Sequence, residues 1–296
     1  PTGYQALCTQ NMSDTFSGDD VNKPSKYFDM ALWHGSGASK DIKSFEFQPD
    51  LVWIKSRDDT YDHAAFDAIR GANKRIRPSN TTAEGTDTQT LTAFNTDGFT
   101  VGTDEVTNKD DDKYVGWCWD AGTSAATPSD AGDITPTAQW VNTTAGFGMC
   151  KYTGTFSGSG VATIGHQLGA APQLIISKEL GNTSRWAVKH VGLSSWDHIL
   201  ELQDNVAEVD KSGGGNTDDP TSTLFGTNHN GGINVSGYTY VAYYWTPIEG
   251  YSSFGSYTGN GSADGPFVYC GFEPAWLLYK RTTDGTEAWQ YYDSDR

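Results

Sequence analysis

The stretch Phe47-Gln48-Pro49-Asp50-Leu51-Val52-Trp53-Ile54-Lys55 returns twice along the chain. It recurs as Ala170-Ala171-Pro172-Gln173-Leu174-Ile175-Ile176-Ser177-Lys178 and as Phe272-Glu273-Pro274-Ala275-Trp276-Leu277-Leu278-Tyr279-Lys280. Each copy has a proline, one spacer, four large residues (Ser177 excepted) and a lysine. Proline at a strand start loses no ladder hydrogen bond, because its missing N–H lies at the strand end. A short apolar run bounded in this way reads as a strand buried on both faces, closed at the surface by its lysine. The prolines lie 123 and 102 residues apart, so the chain is a tandem repeat with a period near a hundred and loops of varying length.

The flanks repeat as well. Trp33-His34-Gly35, Tyr152-Thr153-Gly154 and Tyr257-Thr258-Gly259 precede the three copies, and Trp186-Ala187-Val188 matches Trp289-Gln290-Tyr291 downstream. Tyr114-Val115-Gly116-Trp117-Cys118-Trp119 matches Tyr240-Val241-Ala242-Tyr243-Tyr244-Trp245 and reads as a strand with aromatic rings at alternate positions. Phe94-Asn95-Thr96-Asp97-Gly98-Phe99 signals a hairpin, since Asp-Gly tolerates a tight turn. The segment from His63 to Arg70 has helical spacing, but its counterpart Trp186-Ala187-Val188-Lys189-His190 reads as strand, and strand is expected in both. The fold class is therefore all-β: tandem sandwich- or barrel-like modules with short antiparallel strands and little helix. The expected layout is a connector over 1–28, a module over 29–125, a linker over 126–146, a second module over 147–250 and a partial third repeat over 251–296. A repeat that stops at Arg296 is expected to be completed by further polypeptide or by another chain.

Composition agrees with that layout. Of 296 residues, 13% are aromatic and 34 are glycine, which suits short strands and many turns. The formal charge of −17 implies a surface that repels nucleic acids and anionic membranes. No run approaches the ~20 apolar residues of a membrane-spanning helix. Cys8, Cys118, Cys150 and Cys270 form no CxxC pair, so zinc is not expected; buried free thiols are, with a single disulfide as the alternative.

Catalytic patterns are weak. Gly192-Leu193-Ser194-Ser195-Trp196 lacks the second glycine of a nucleophile elbow, so Ser194 with His190 or His198 reads as coincidence. Glu201 and Asp204 are the carboxylates to consider for glycoside hydrolysis. Asp110-Asp111-Asp112, and Asp58-Asp59 with Asp62-His63, are the places where calcium would bind, although neither follows a calcium-loop spacing. Gly35-Ser36-Gly37 and Gly158-Ser159-Gly160 are turns and not phosphate loops. The chain is expected not to be an enzyme and to need no cofactor. Aromatic rings are the feature suited to recognition, because they stack on sugar C–H faces. Trp33, Trp140, Trp196 and Tyr238 are the expected exposed glycan contacts.

Several longer strings resemble a repeat domain of marine phage and cyanophage structural proteins. They are Asp62-His63 with Phe66-Asp67 and Ile69-Arg70-Gly71-Ala72, the run from Leu91 to Gly102, and the run from Phe254 to Tyr269. The opening Gly3-Tyr4-Gln5-Ala6-Leu7-Cys8-Thr9 resembles the segment that follows a SPRY or concanavalin-like lectin sandwich in such chains. Phe45-Glu46-Phe47 departs from the glycine expected before Pro49, and the acidic, glycine-rich loop from Gly213 to Asp219 is another departure. The resemblance brings no catalytic residues. It implies a virion component, such as a tail fibre or spike, that is commonly a homotrimer and works against other virion proteins or a host-surface glycan. A purely structural decoration or connector protein is the alternative, and a polysaccharide depolymerase is less favoured.

Overall fold

The computed structural model describes residues 23–156, 161–212, 219–228, 232–284 and 287–296. The opening segment with Cys8, most of the expected connector, the Gly158-Ser159-Gly160 turn and residues 213–218 of the acidic loop lie outside the described residues.

The protein is all-β, built of sandwich-like antiparallel modules. After a 3-10 turn at Pro24–Lys26, the first module runs β1 (Phe28–His34), β2 (Lys40–Lys43), β3 (Leu51–Ser56), β4 (Ala64–Asp67), β5 (Lys74–Arg75), β6 (Gly85–Thr86), β7 (Leu91–Asn95), β8 (Gly98–Val101), a four-residue helix α1 (Glu105–Asn108) and β9 (Lys113–Trp119). The second runs β10 (Ala138–Asn142), β11 (Phe147–Thr153), β12 (Val161–Gly165), β13 (Leu174–Glu179), β14 (Trp186–His190), β15 (His198–Glu201), β16 (Val209–Asp210), β17 (Leu224–Asn228) and β18 (Thr239–Trp245). A third unit contributes β19 (Trp276–Tyr279) and β20 (Gln290–Asp293). Among the described residues no helix is long and apolar enough to cross a membrane.

The three Pro-led stretches are equivalent strands. The first sheet has the order β1-β9-β3-β4, and the second contains the same order, β11-β18-β13-β14, extended by β10 at one edge and by β15 and β16 at the other. The registers coincide: Leu51 pairs with Asp67 and with Trp119, and Leu174 pairs with His190 and with Trp245. In the third unit Trp276 takes the same place, opposite Asp293. One closing bond repeats in all three hairpins. Ala68 N donates to Asp50 O at 2.8 Å, Val191 N to Gln173 O at 2.9 Å and Ser294 N to Ala275 O at 2.9 Å. The hairpin expected at Asp97-Gly98 forms between β7 and β8, and the segment before Arg70 is strand, as is its counterpart β14.

Strand alternation divides the core. On β3, Leu51 and Trp53 face one side and Val52 and Ile54 the other, as successive strand residues must. On β9 and β18 the aromatic alternation does the same. Trp117, Trp119, Tyr243 and Trp245 enter a core shared by both modules, while Tyr114, Tyr240 and Tyr244 enter separate cores. The first module's separate core lies with the sheet β2-β8-β7, and the second module's with the ribbon β12-β17. Each fully buried large side chain stabilises the fold by about 1.5–3 kcal/mol relative to exposure.

Three expectations need correction. Residues 138–142, expected in a linker, form β10 and pair with β11 from Ala138↔Lys151 to Asn142↔Phe147. Lys178 does not close its strand at the surface; it is fully buried, its Nζ donates to Glu179 O at 2.5 Å, and burial pushes its pKa down to about 8. The third Pro-led strand is not buried on both faces, since Leu277 is 47% exposed. Cys118 and Cys150 are buried free thiols in different cores, each pushed up by burial, and Cys270 is also free.

Candidate functional site

The four aromatic residues expected to contact a glycan do not form one surface. Trp33 is buried, stacks on Tyr114 at 5.4 Å between ring centres, and donates its indole N–H to Thr107 O. β1 places its ring inside the first module's own core. Trp140 and Trp196 are partly buried, packed against the shared core and the second module's core respectively. Tyr238 is the exposed member.

The other candidates are engaged elsewhere. Ser194 donates to Glu208, and the histidine that meets a serine is His198, 3.0 Å from Ser195 Oγ across an exposed turn. His190 Nδ1 accepts from Gly192 N. Glu201 pairs with Arg185 at 3.0 Å, and Asp204 Oδ1 accepts from Asn205 N. Asp58 accepts from Lys113 N, Asp59 from Lys109 Nζ, and Asp62 from Ser79 and Asn80. Lys109 also pairs with Asp112 at 3.3 Å. Among the described residues no group of three His, Cys, Asp or Glu side chains gathers as a metal-ligand set.

The feature that sequence reading missed is a cleft of about 790 Å³ between the first module and the third unit. One wall is the end of β3 and the loop after it, from Lys55 to Thr60; the other is β20 with Trp289 and Arg296. The loop holds its shape through its own backbone. Asp59 N donates to Ser56 Oγ, and Lys55 Nζ donates to Ser56 O and Asp59 O at 2.7 and 2.8 Å. The floor is aromatic. Tyr291 stacks on Trp117 at 5.8 Å and 17°, meets Trp53 edge-on at 5.4 Å, and lies 5.3 Å from the His63 ring.

His63, Asp293 and Arg296 are held in place on that floor. Trp53 donates its indole N–H to His63 Nδ1 at 2.9 Å, which assigns the remaining ring proton of neutral His63 to Nε2. Burial first, then the charge of Lys55, pushes the His63 pKa down to about 4, so the ring is neutral at physiological pH. Asp293 Oδ2 accepts from Trp117 Nε1 at 3.1 Å and from Arg296 Nε at 2.6 Å. The Arg296 guanidinium lies 5.4 Å over the Trp117 ring, a cation–π contact. Trp117 and Trp53 are buried beneath Tyr291. The aromatic surface open at the cleft is therefore that of Tyr292 with parts of Trp289 and Tyr291, beside the Asp58 carboxylate, Gln290 amide, Lys55 ammonium and Arg296 guanidinium groups. That combination suits a polyhydroxylated ligand, whose C–H faces stack and whose hydroxyls need both donors and acceptors. Its two walls lie more than two hundred residues apart in sequence, so no local pattern announces it.

No curated protein and no solved structure matches the chain. One family does match, described as a domain of unknown function, DUF7483, and it covers residues 23–296. The match takes in both modules and the third unit, and the chain belongs to that family.

Proposed function

We propose that this chain is a virion structural and adhesion component, of tail-fibre or spike type, that presents its β modules to a host surface and holds a surface glycan in the inter-module cleft. The virion assignment rests on the sequence resemblance. The glycan assignment rests on one observation, the exposed Tyr292 ring and the half-buried Trp289 and Tyr291 rings lining a cleft flanked by Lys55, Asp58, Gln290 and Arg296. The chain acts by binding and by scaffolding, with no catalytic step assigned. Strongly acidic host polymers are poor ligands for a surface of net charge −17, so neutral or zwitterionic polysaccharide is the expected class.

Calorimetric titration with polysaccharide fragments from host envelopes tests this reading. Binding is expected, and Asp58→Ala with Gln290→Ala should weaken it about fivefold or more, since each removes a polar contact from the cleft wall. Absence of binding to every envelope preparation, or binding indifferent to both substitutions, overturns it.

A further inference from the structure

The cleft holds a hydrogen-bond donor whose direction is fixed and whose partner is missing, the Nε2–H of His63. Three aromatic side chains hold the His63 ring. Trp53 donates to its Nδ1 at 2.9 Å, the Tyr291 ring lies 5.3 Å away, and the Trp117 ring lies 6.5 Å away at 25°. With Nδ1 accepting and the ring neutral, the proton stands on Nε2. Nε2 has no hydrogen-bond partner among the described residues, and it is not one of their enclosed polar atoms, so it reaches the surface. The surface that His63 reaches is the cleft it lines.

The surroundings of that donor narrow what it can meet. Lys55 Nζ is held by two backbone carbonyls, Asp59 by Lys109, and Asp293 by Trp117 and Arg296. Arg57 is exposed on a long side chain, and hydroxyls rotate, whereas the His63 ring is already oriented. A donor ordered before binding loses little freedom on binding, so it weighs most in what the cleft selects. Three cationic side chains (Lys55, Arg57, Arg296) and three carboxylates (Asp58, Asp59, Asp293) line the cleft, so neither sign is in formal excess. The matching acceptor is therefore a neutral one. It also stands beside aromatic carbon, the Tyr291 ring and the exposed Tyr292 ring. A hydroxyl is a neutral acceptor but brings no apolar carbon of its own. An amide carbonyl carrying a methyl group brings both.

We infer that the cleft selects an N-acetylated amino sugar, whose acetamido carbonyl accepts from His63 Nε2 and whose acetamido methyl covers the tyrosine rings of the third unit. This rests on the glycan reading of the cleft and names the sugar within it. Trp53 is a positioning residue, since its indole N–H keeps the proton on the nitrogen that faces the cleft. The acetamido group is uncharged, which agrees with the class expected of a chain of net charge −17. A site built to hydrogen-bond one group rejects an analogue that lacks it, because its own donor is then left unpaired. Discrimination between an acetamido group and a hydroxyl at the same ring carbon is the expected signature.

Calorimetric titration of the full chain uses two pairs of trisaccharides, N-acetylglucosamine against glucose and N-acetylgalactosamine against galactose. Binding of the N-acetylated member about tenfold tighter or more, in either pair, supports the inference. A smaller preference in both pairs overturns it. So does failure of all four sugars while host-envelope fragments bind, and the cleft reading then stands. If neither the trisaccharides nor the envelope fragments bind, both readings fall. Nuclear magnetic resonance of the chain carrying 15N-histidine gives a readout that a purely structural His63 would not move. The free protein should show His63 protonated on Nε2, and that resonance should shift with the preferred N-acetylated trisaccharide and not with its unsubstituted partner. A Nε2 resonance unmoved at saturation overturns the inference. His63→Phe keeps a ring in place and removes the donor, so it should erase the preference within the pair; a preference that survives it also overturns the inference.

Discussion

The Tyr243 hydroxyl of the second module donates to the carboxylate of Asp67 in the first, at a site where both residues are buried. Asp67 also accepts from Arg70 N at 2.8 Å and Arg70 Nε at 2.5 Å, and Arg70 reaches Glu84 at 3.2 Å. The arrangement recurs between the third unit and the first, where Asp293 meets Arg296 and Trp117. Trp117 and Tyr243 hold the same register place in β9 and β18, opposite Trp53 and Ile176. The modules are therefore joined by one repeated contact, a carboxylate at a strand end receiving the polar tip of a neighbouring module's aromatic ring.

Removing Asp67 should be far worse than removing the tyrosine hydroxyl. Asp67→Ala leaves the buried Arg70 guanidinium without its main counter-charge and should cost about 3–5 kcal/mol. Tyr243→Phe leaves Asp67 its two bonds to Arg70 and should cost about 1 kcal/mol. Urea unfolding of the two variants and their double mutant checks this, and a Tyr243→Phe loss equal to that of Asp67→Ala contradicts it.

Asp50 gives a pH signature. Its carboxyl is buried, accepts from Ala121 N at 2.8 Å and Gln48 Nε2 at 3.1 Å, and lies beside Asp120; burial above all raises its pKa to about 8. The folded protein therefore binds this proton at neutral pH, while the unfolded chain releases it near the ordinary value of about 4. Its contribution is full below pH ~4 and is lost as pH rises toward 8. Asp50→Asn keeps an acceptor for Ala121 and does not ionise. Across that window the variant should gain about 1–3 kcal/mol over the parent chain, read as the difference between their unfolding free energies at pH 4.5 and pH 8. A difference that does not change with pH refutes the assignment.

Trp33 and Tyr257 occupy equivalent places with opposite exposure, so the same substitution should separate them. Trp33→Ala empties a buried site and should cost about 3–5 kcal/mol. Tyr257→Ala, at a half-exposed site, should change stability by about 0.5 kcal/mol or less. Thermal unfolding of both variants decides the point, and a negligible effect at Trp33 removes it from the core.

Gly98 is required by close approach. A Cβ there would stand 1.9 Å from Ile42 O, on the strand paired with β8, and its φ of +155° adds strain for other residues. Gly237 has φ of +80° but open space around it. Gly98→Ala should therefore unpair β2 from β8 and cost several times the ~1 kcal/mol expected of Gly237→Ala. Comparable losses at the two sites would argue against tight β2–β8 pairing.

Much of the architecture can be read from residue order alone. The Pro-led runs, the Asp97-Gly98 turn and the alternating aromatic strand specify local structure, because strand period, proline placement and turn chemistry act over a few residues. Three copies in one chain also imply one module repeated, and the shared registers bear that out. Burial was less legible. Trp33 and Lys178 carry no local mark of being inside, since burial depends on which sheet covers a strand face. The cleft was not legible at all. Lys55 and Asp58 meet Trp289 and Arg296 only because the third hairpin packs against the first module, and such long-range packing is set by the shape and polarity of whole faces.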